Sequence, residues 1–302
     1  MLTLKQLQSR IDSNCSVYRN DQSSGSTRCM KSLYSSSFTY TNTHLCKDEG
    51  NKLKVFIAVT SRPHNRMGRR AIRKTWGQYA RRSDISLAFF IGYTRNEISR
   101  YFLKNEQYIF RDIIQGKFGD SYYNLTLKTI SILDWAHTFC PKVKYLLKTD
   151  DDVFINIINL LKLIDYLDVE TRAIYGRMIK KPKPFRNPYK KNYISWNQYS
   201  FERFPDFVTG PAYLMPGHIT GEIYFASLNY SYIRLEDVFI TGIMSRILKI
   251  KLFHISEFIN LKVPHTLRNV KRAISIHDVR RFDQYNIWRI FNDKNSTRRE
   301  LI

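Results

Sequence analysis

Hydrophobic and polar positions follow different rules on the two sides of residue 50. The first fifty residues are rich in Ser, Thr and Asn, include the run Ser35-Ser36-Ser37, and have little apolar periodicity. They read as a stem-like or poorly ordered segment, residues 1–50, ahead of a folded domain over residues 51–302. From Leu53 the pattern changes. The apolar run Leu53–Thr60, closed by Ser61-Arg62-Pro63, predicts a buried strand. Ala71, Ile72, Thr75 and Trp76 stand at helical spacing and predict a helix over Arg70–Tyr79. A second strand is expected over Ser86–Gly92 and a second helix over Asn124–Phe139, where Leu127, Ile130, Leu133 and Trp135-Ala136 share a face. After Cys140-Pro141 the strand Lys144–Lys148 runs into Thr149-Asp150-Asp151-Asp152, and a helix is expected over Ile155–Leu167. Such alternation predicts an α/β fold, a Rossmann-like and mainly parallel central sheet flanked by helices. Ligands of such sheets bind beyond the carboxyl ends of the strands, which sets Asp150–Asp152 at the mouth of a site.

Composition agrees with a folded chain: 43% hydrophobic and 14% aromatic residues are ample for a sizeable core in 302 residues. The net charge of +23 favours anionic partners of any kind, whether nucleic acid, membrane surface or acidic substrate. No zinc-finger spacing, RNP-type aromatic motif or heptads behind a basic region occurs, so nucleic acid is not expected as a partner. The four cysteines, Cys15, Cys29, Cys46 and Cys140, form no CxxC pair, which argues against zinc. Three of them fall in the first 46 residues and point to an extracytoplasmic stem with its pairings open. No apolar run approaches the roughly 20 residues of a membrane-spanning helix.

Four groups of side chains carry candidate chemistry. Three adjacent carboxylates, Asp150, Asp151 and Asp152, repel one another unless a cation intervenes, and a hard divalent ion sharing a diphosphate resolves that repulsion. The alternative is that Asp152 caps the following helix. Glu236 and Asp237 stand at the expected start of another helix, where negative charge is favourable in any case, and where a carboxylate can also serve as general base. His277 follows the apolar segment Ile274-Ser275-Ile276 and is within reach of the sheet's mouth. Arg69 and Arg73, at i and i+4, share a helix face suited to a diphosphate.

Taken together, the blocks resemble the β-1,3-galactosyltransferase family, which includes β-1,3-N-acetylglucosaminyltransferases and, more distantly, the fringe enzymes. They occur in the family's order: Arg69 to Gly77, Phe90-Ile91-Gly92, Asp112-Ile113-Ile114 leading to Asp120–Thr129, Lys144 to Phe154, Thr209-Gly210-Pro211-Ala212-Tyr213, Glu236-Asp237-Val238-Phe239, and His277 eleven residues before Trp288. The resemblance implies a GT-A-type fold and an inverting transfer of galactose from UDP-galactose to a 3-hydroxyl, in β-1,3 linkage, on a glycoprotein or glycolipid glycan. A β-1,3-N-acetylglucosaminyltransferase using UDP-GlcNAc, or an inactive glycan-binding relative, is the alternative. It implies Mn²⁺ held by Asp152 and His277, with Asp150 at the ribose and Asp151 beside it. Arg69, Arg73 and Lys148 are expected to border the nucleotide, Asp237 to be the base, and Glu236 to hold the acceptor. It also implies a Golgi, lumenal location behind a membrane anchor, which this chain does not display. In many members a cysteine precedes the Gly-x-x-Tyr block; Val208 stands there, which leaves Cys140 without that partner.

Overall fold

The structure is a computed structural model, described over residues 29–293. Its strands, in chain order, are β1 (Phe38–Tyr40), β2 (Val55–Thr60), β3 (Ile85–Tyr93), β4 (Ile113–Gly119), β5 (Tyr145–Asp150), β6 (Phe154–Ile155), β7 (Ala173–Ile179), β8 (Phe207–Pro216), β9 (Lys251–His254), β10 (Phe258–Ile259) and β11 (Ser275–Ile276). The principal helices are α1 (Arg66–Lys74), α2 (Glu97–Phe110), α3 (Leu125–Phe139), α4 (Ile157–Tyr166), α5 (Thr220–Leu228) and α6 (Arg281–Asn292).

Every residue of β2 is buried, which a strand supports only when both faces of its sheet are covered. Alternate residues serve opposite cores, as the two-residue period of a strand requires. Phe56 and Ala58 join Trp135 and Leu146 on one face, while Val55, Ile57 and Val59 join Trp76 and Leu147 on the other. Phe56 stacks on Trp135 with ring centroids 4.7 Å apart. The main sheet has the order β1-β4-β3-β2-β5-β8-β7-β9. Strands β4, β3, β2 and β5 are parallel neighbours, β8 runs against both β5 and β7, and β7 is parallel to β9. The expected mainly parallel α/β architecture is therefore present. A second, three-stranded sheet, β10-β11-β6, lies beyond the end of β5.

The first helix differs from its expected span. Asn65 caps it by accepting from the Gly68 N–H, and it ends at Lys74 because the Thr75 hydroxyl turns back onto the Ala71 carbonyl. A 3₁₀ segment, Trp76–Arg81, covers the remainder. Helix α2 had no counterpart in the apolar pattern because its polarity is inverted. Ile98, Tyr101, Tyr108 and Ile109 are exposed, while Glu106 is buried and bonded to arginines of α1.

The stem expected over residues 1–50 is corrected for its second half; residues 1–28 lie outside the described residues. Met30 is fully buried, the Tyr34 hydroxyl donates to Asp134 on α3, and the Trp135 indole donates to the Thr41 carbonyl. Strand β1 extends the main sheet beside β4. Cys46 is disulfide-bonded to Cys140 across 94 residues, so Cys140 does have a partner, from the segment taken for a stem. Little periodicity appears there because isolated side chains plug an existing core, with no regular amphipathic face to record. No helix among the described residues is long and apolar enough to cross a membrane.

Candidate active site

Parallel strands β2 and β5 are in register, with Thr60 opposite Asp150, so the chain leaves both at the same edge of the sheet. A cavity of about 600 Å³ opens there, within the size range of small-molecule sites. Ser61, Tyr122, Asp152, Arg234, Asp237 and His277 are among the residues lining it.

The three aspartates after β5 have three different surroundings. Asp150 accepts from the Thr60 hydroxyl and, at 2.7 Å, from the Lys148 ammonium. Asp151 accepts from the Ser61 hydroxyl at 2.6 Å and the Asn65 amide at 2.7 Å, while burial pushes its carboxyl up. Asp152 is half exposed, with Oδ2 3.6 Å from His277 Nε2. That contact is the main cause of His277 being raised above the ordinary imidazole value. Strand β11 positions His277: it pairs with β6, and the Val279 N–H donates to the Asp152 carbonyl at 2.8 Å. Asp152 does not cap the following helix; Asn156 does, accepting from the Asn159 N–H.

Strand β8, the antiparallel neighbour of β5, adds Gly210 and Pro211 to the lining. Lys148 is fully buried and donates at 2.7 Å to both Asp150 and the Gly210 carbonyl, with Glu236 Oε2 3.7 Å away. Burial opposes its charge, but Asp150 and Glu236 more than offset this and hold the ammonium above the usual lysine value. Glu236 is buried, accepts from the Tyr213 hydroxyl at 2.6 Å, and is pushed up to about 7 by burial, against the pull of Lys148. Asp237 is half-buried and faces the cavity. Its Oδ2 accepts from the Gly210 N–H at 3.1 Å and its Oδ1 from the Val238 N–H at 2.9 Å. Burial raises this carboxyl, and those two N–H groups oppose the rise. Gly210 permits the close approach, because a Cβ there would meet Glu236 Oε2 at 3.1 Å and Asp237 Cβ at 3.5 Å. Val238–Met244 then continues as wide π-type turns, a form that recurs at functional sites.

Asp150, Asp151, Asp152, Lys148, Glu236, Asp237 and His277 are thus gathered at one cavity. Arg69 and Arg73, expected to border the nucleotide, are not among the residues lining it. Arg69 is fully buried and bidentate to Glu106 at 2.8 and 2.7 Å. Arg73 binds Asp112 and Glu106 and lies between the rings of Phe89 and Phe110. Their shared face was read correctly, but it meets α2. The sequence reading missed Ser61 and Asn65, which follow β2 and were accessible from the strand-end rule. It also missed Tyr122, Lys191 and Arg234, whose loops have no pattern that marks them.

Residues 67–256 match the family described as Galactosyltransferase. The chain is 31% identical over 268 residues to Beta-1,3-galactosyltransferase 1 of Mus musculus, covering 88% of this chain and 81% of the relative. It is 33% identical over 230 residues to Beta-1,3-galactosyltransferase 5 of Pan paniscus, covering 72% and 76%. Among solved structures, it aligns with the WbbM bifunctional enzyme at a TM-score of 0.43 and 10% identity, over 82% of this chain and 51% of that one.

Proposed function

The chain belongs to the β-1,3-galactosyltransferase family and is a UDP-sugar glycosyltransferase, and from that premise we propose that it transfers galactose from UDP-galactose, with inversion, to a 3-hydroxyl of an acceptor glycan. The observation that carries this reading is one cavity lined both by a carboxylate–imidazole pair, Asp152 and His277, and by a further carboxylate, Asp237, held by backbone N–H groups. Inversion needs two such groups, one at the departing UDP and a base that acts from the opposite face of the sugar.

Asp237 is the base. Its two oxygens are fixed by backbone N–H groups while the carboxylate faces the cavity. Glu236 sits behind it, committed to Tyr213 and Lys148, and acts through those neighbours. Asp152 and His277 would hold Mn²⁺. They supply one carboxylate oxygen and one imidazole nitrogen facing each other, a donor set such an ion accepts. Among the described residues no group of three such ligands closes a cage, which fits an ion completed by diphosphate oxygens and water. When bound, it would offset the charge that develops on the leaving diphosphate. Asp150, oriented by Thr60 and Lys148, would meet the ribose. The Cys46–Cys140 disulfide supports a working location in an oxidising compartment such as the Golgi lumen.

The test is a panel of UDP-sugars against neutral and acidic acceptor glycans, with Mn²⁺ or with chelator. Galactose transfer that disappears in EDTA and returns with Mn²⁺ is expected, and Asp152→Asn should resist that rescue. Transfer of N-acetylglucosamine alone would reassign the donor, and full activity in chelator would remove the metal.

A further inference from the structure

The cations around the cavity are of two kinds. Lys128 and Lys148 are buried and ion-paired, with Asp120 at 2.8 Å and with Asp150 at 2.7 Å. Lys191 and Arg234 also line the cavity, yet neither has an ion pair among the described residues. Instead they rest on tyrosine rings. Lys191 Nζ lies 4.4 Å from the Tyr122 centroid, and the Arg234 guanidinium lies 5.3 Å from that of Tyr123 and 5.6 Å from that of Tyr193. The Arg234 Nε–H is buried with no hydrogen-bond partner among the described residues. A buried donor left unmade is costly, and a guanidinium on aromatic faces is held in shape for an incoming oxyanion.

Arg234 lies three residues before Asp237, and Lys191 rests on Tyr122, which lines the same cavity as Asp237. The pair therefore shares its cavity with the base. The wall that carries Asp151 and Asp152 has a cation of its own in Arg62, exposed next to Ser61.

Resting on the reading of Asp237 as the base, we propose that Lys191 and Arg234 are specificity-determining residues that recognise an anionic group (carboxylate, sulfate or phosphate ester) on the acceptor glycan, so that acidic acceptors are preferred to neutral ones. The anion seats between the guanidinium and the ammonium, and the tyrosine faces beside them take the sugar rings. No covalent step is added; the pair acts on acceptor binding.

Two measurements test this. In the first, the Asp237→Asn protein with UDP is applied to an array of matched acidic and neutral glycans, read as binding without turnover. Acidic members should be retained selectively, and Arg234→Gln or Lys191→Gln in that background should erase the selectivity. Lys162→Gln, an exposed charge on α4 outside the cavity, should not. Equal loss with Lys162→Gln would reduce the effect to net charge and overturn the proposal. In the second, the wild-type protein is assayed with an N-acetylglucosamine β-glycoside and its 6-sulfate. The KM for the sulfated acceptor should rise about tenfold in Arg234→Gln, one lost charged contact, and partly recover in Arg234→Lys. The ratio of sulfated-acceptor to neutral-acceptor KM should rise with it, while the calorimetric Kd for UDP should hold. A weakened UDP Kd would assign the cations to the donor and refute the proposal. Galactose transfer without acidic preference would refute it while leaving the enzyme reading intact. Absence of transfer with every acceptor would overturn that reading, and the array would still decide this one.

Discussion

At the scale of single residues, the site works by giving like carboxylates unlike surroundings. Lys148 stands at the centre, bonded to Asp150 and to the carbonyl of Gly210, whose N–H holds Asp237. Asp237→Asn is expected to lower kcat at least about 100-fold, the low end for losing a general base, with UDP affinity nearly unchanged. Near-normal turnover in that variant, with loss in Glu236→Gln, would move the base to Glu236. Glu236 also makes a pH prediction. Its carboxyl titrates near 7 in the folded chain against 4.5 ordinarily, so the folded state binds that proton more tightly. The stability it contributes is full below the unfolded value and is lost as pH rises through the folded one. Glu236→Gln cannot ionise, so its Tm relative to the parent should climb between about pH 4.5 and about pH 7.5; a difference that ignores pH would refute this. The adjacency of Asp150, Asp151 and Asp152 was plain in the sequence. Their division of labour was not, because it depends on Thr60, Ser61 and Asn65 arriving from a strand 90 residues earlier.

Among the elements, α1 and α2 form a brace behind the cavity. Arg69 and Arg73 on one helix share Glu106 of the other, and Arg73 reaches on to Asp112. Removing one member of a buried network leaves its partners' charges uncompensated. Arg73→Ala should therefore cost about 3 kcal/mol of stability, read as a lower denaturation midpoint, while the folded fraction keeps its UDP affinity. A large loss of UDP affinity in the folded variant would restore Arg73 to the nucleotide. Periodicity gave β2, β3, β5 and α3 to within a few residues, because each presents a continuous apolar set to the core. It missed α2, which buries Glu106 beside Leu103 and leaves Ile98, Tyr101, Tyr108 and Ile109 exposed. It also missed β7 and β8, where Gly176 and Gly210 interrupt the run.

For the molecule as a whole, the boundary of the folded unit matters most. A stem over residues 1–50 would make deletion of residues 1–45 harmless. The deletion removes Met30, Tyr34 and β1, and with them the cover on α3 and the outer edge of β4. Such a protein should unfold at lower temperature and over a broader range than one beginning at residue 29, measured by calorimetry. Equal, sharp transitions would show that residues 29–45 are dispensable. Overall charge was legible from the first but said little about function. Its meaning lies in which cations are neutralised locally, as Lys128 and Lys148 are, and which are not.

The division between the two sheets bears on how copies of this gene should be judged intact. The stretch that matches the family ends at residue 256. Yet β10 and β11, which pair with β6 and bring His277 to Asp152, are encoded after it. A premature stop or frameshift beyond that codon leaves the recognisable portion whole while discarding half of the proposed cation site and unpairing the loop that presents the other half. Among duplicated genes, such silent losses would be counted as enzymes by any census that reads only the matching stretch. The codon for His277 is the one to inspect first.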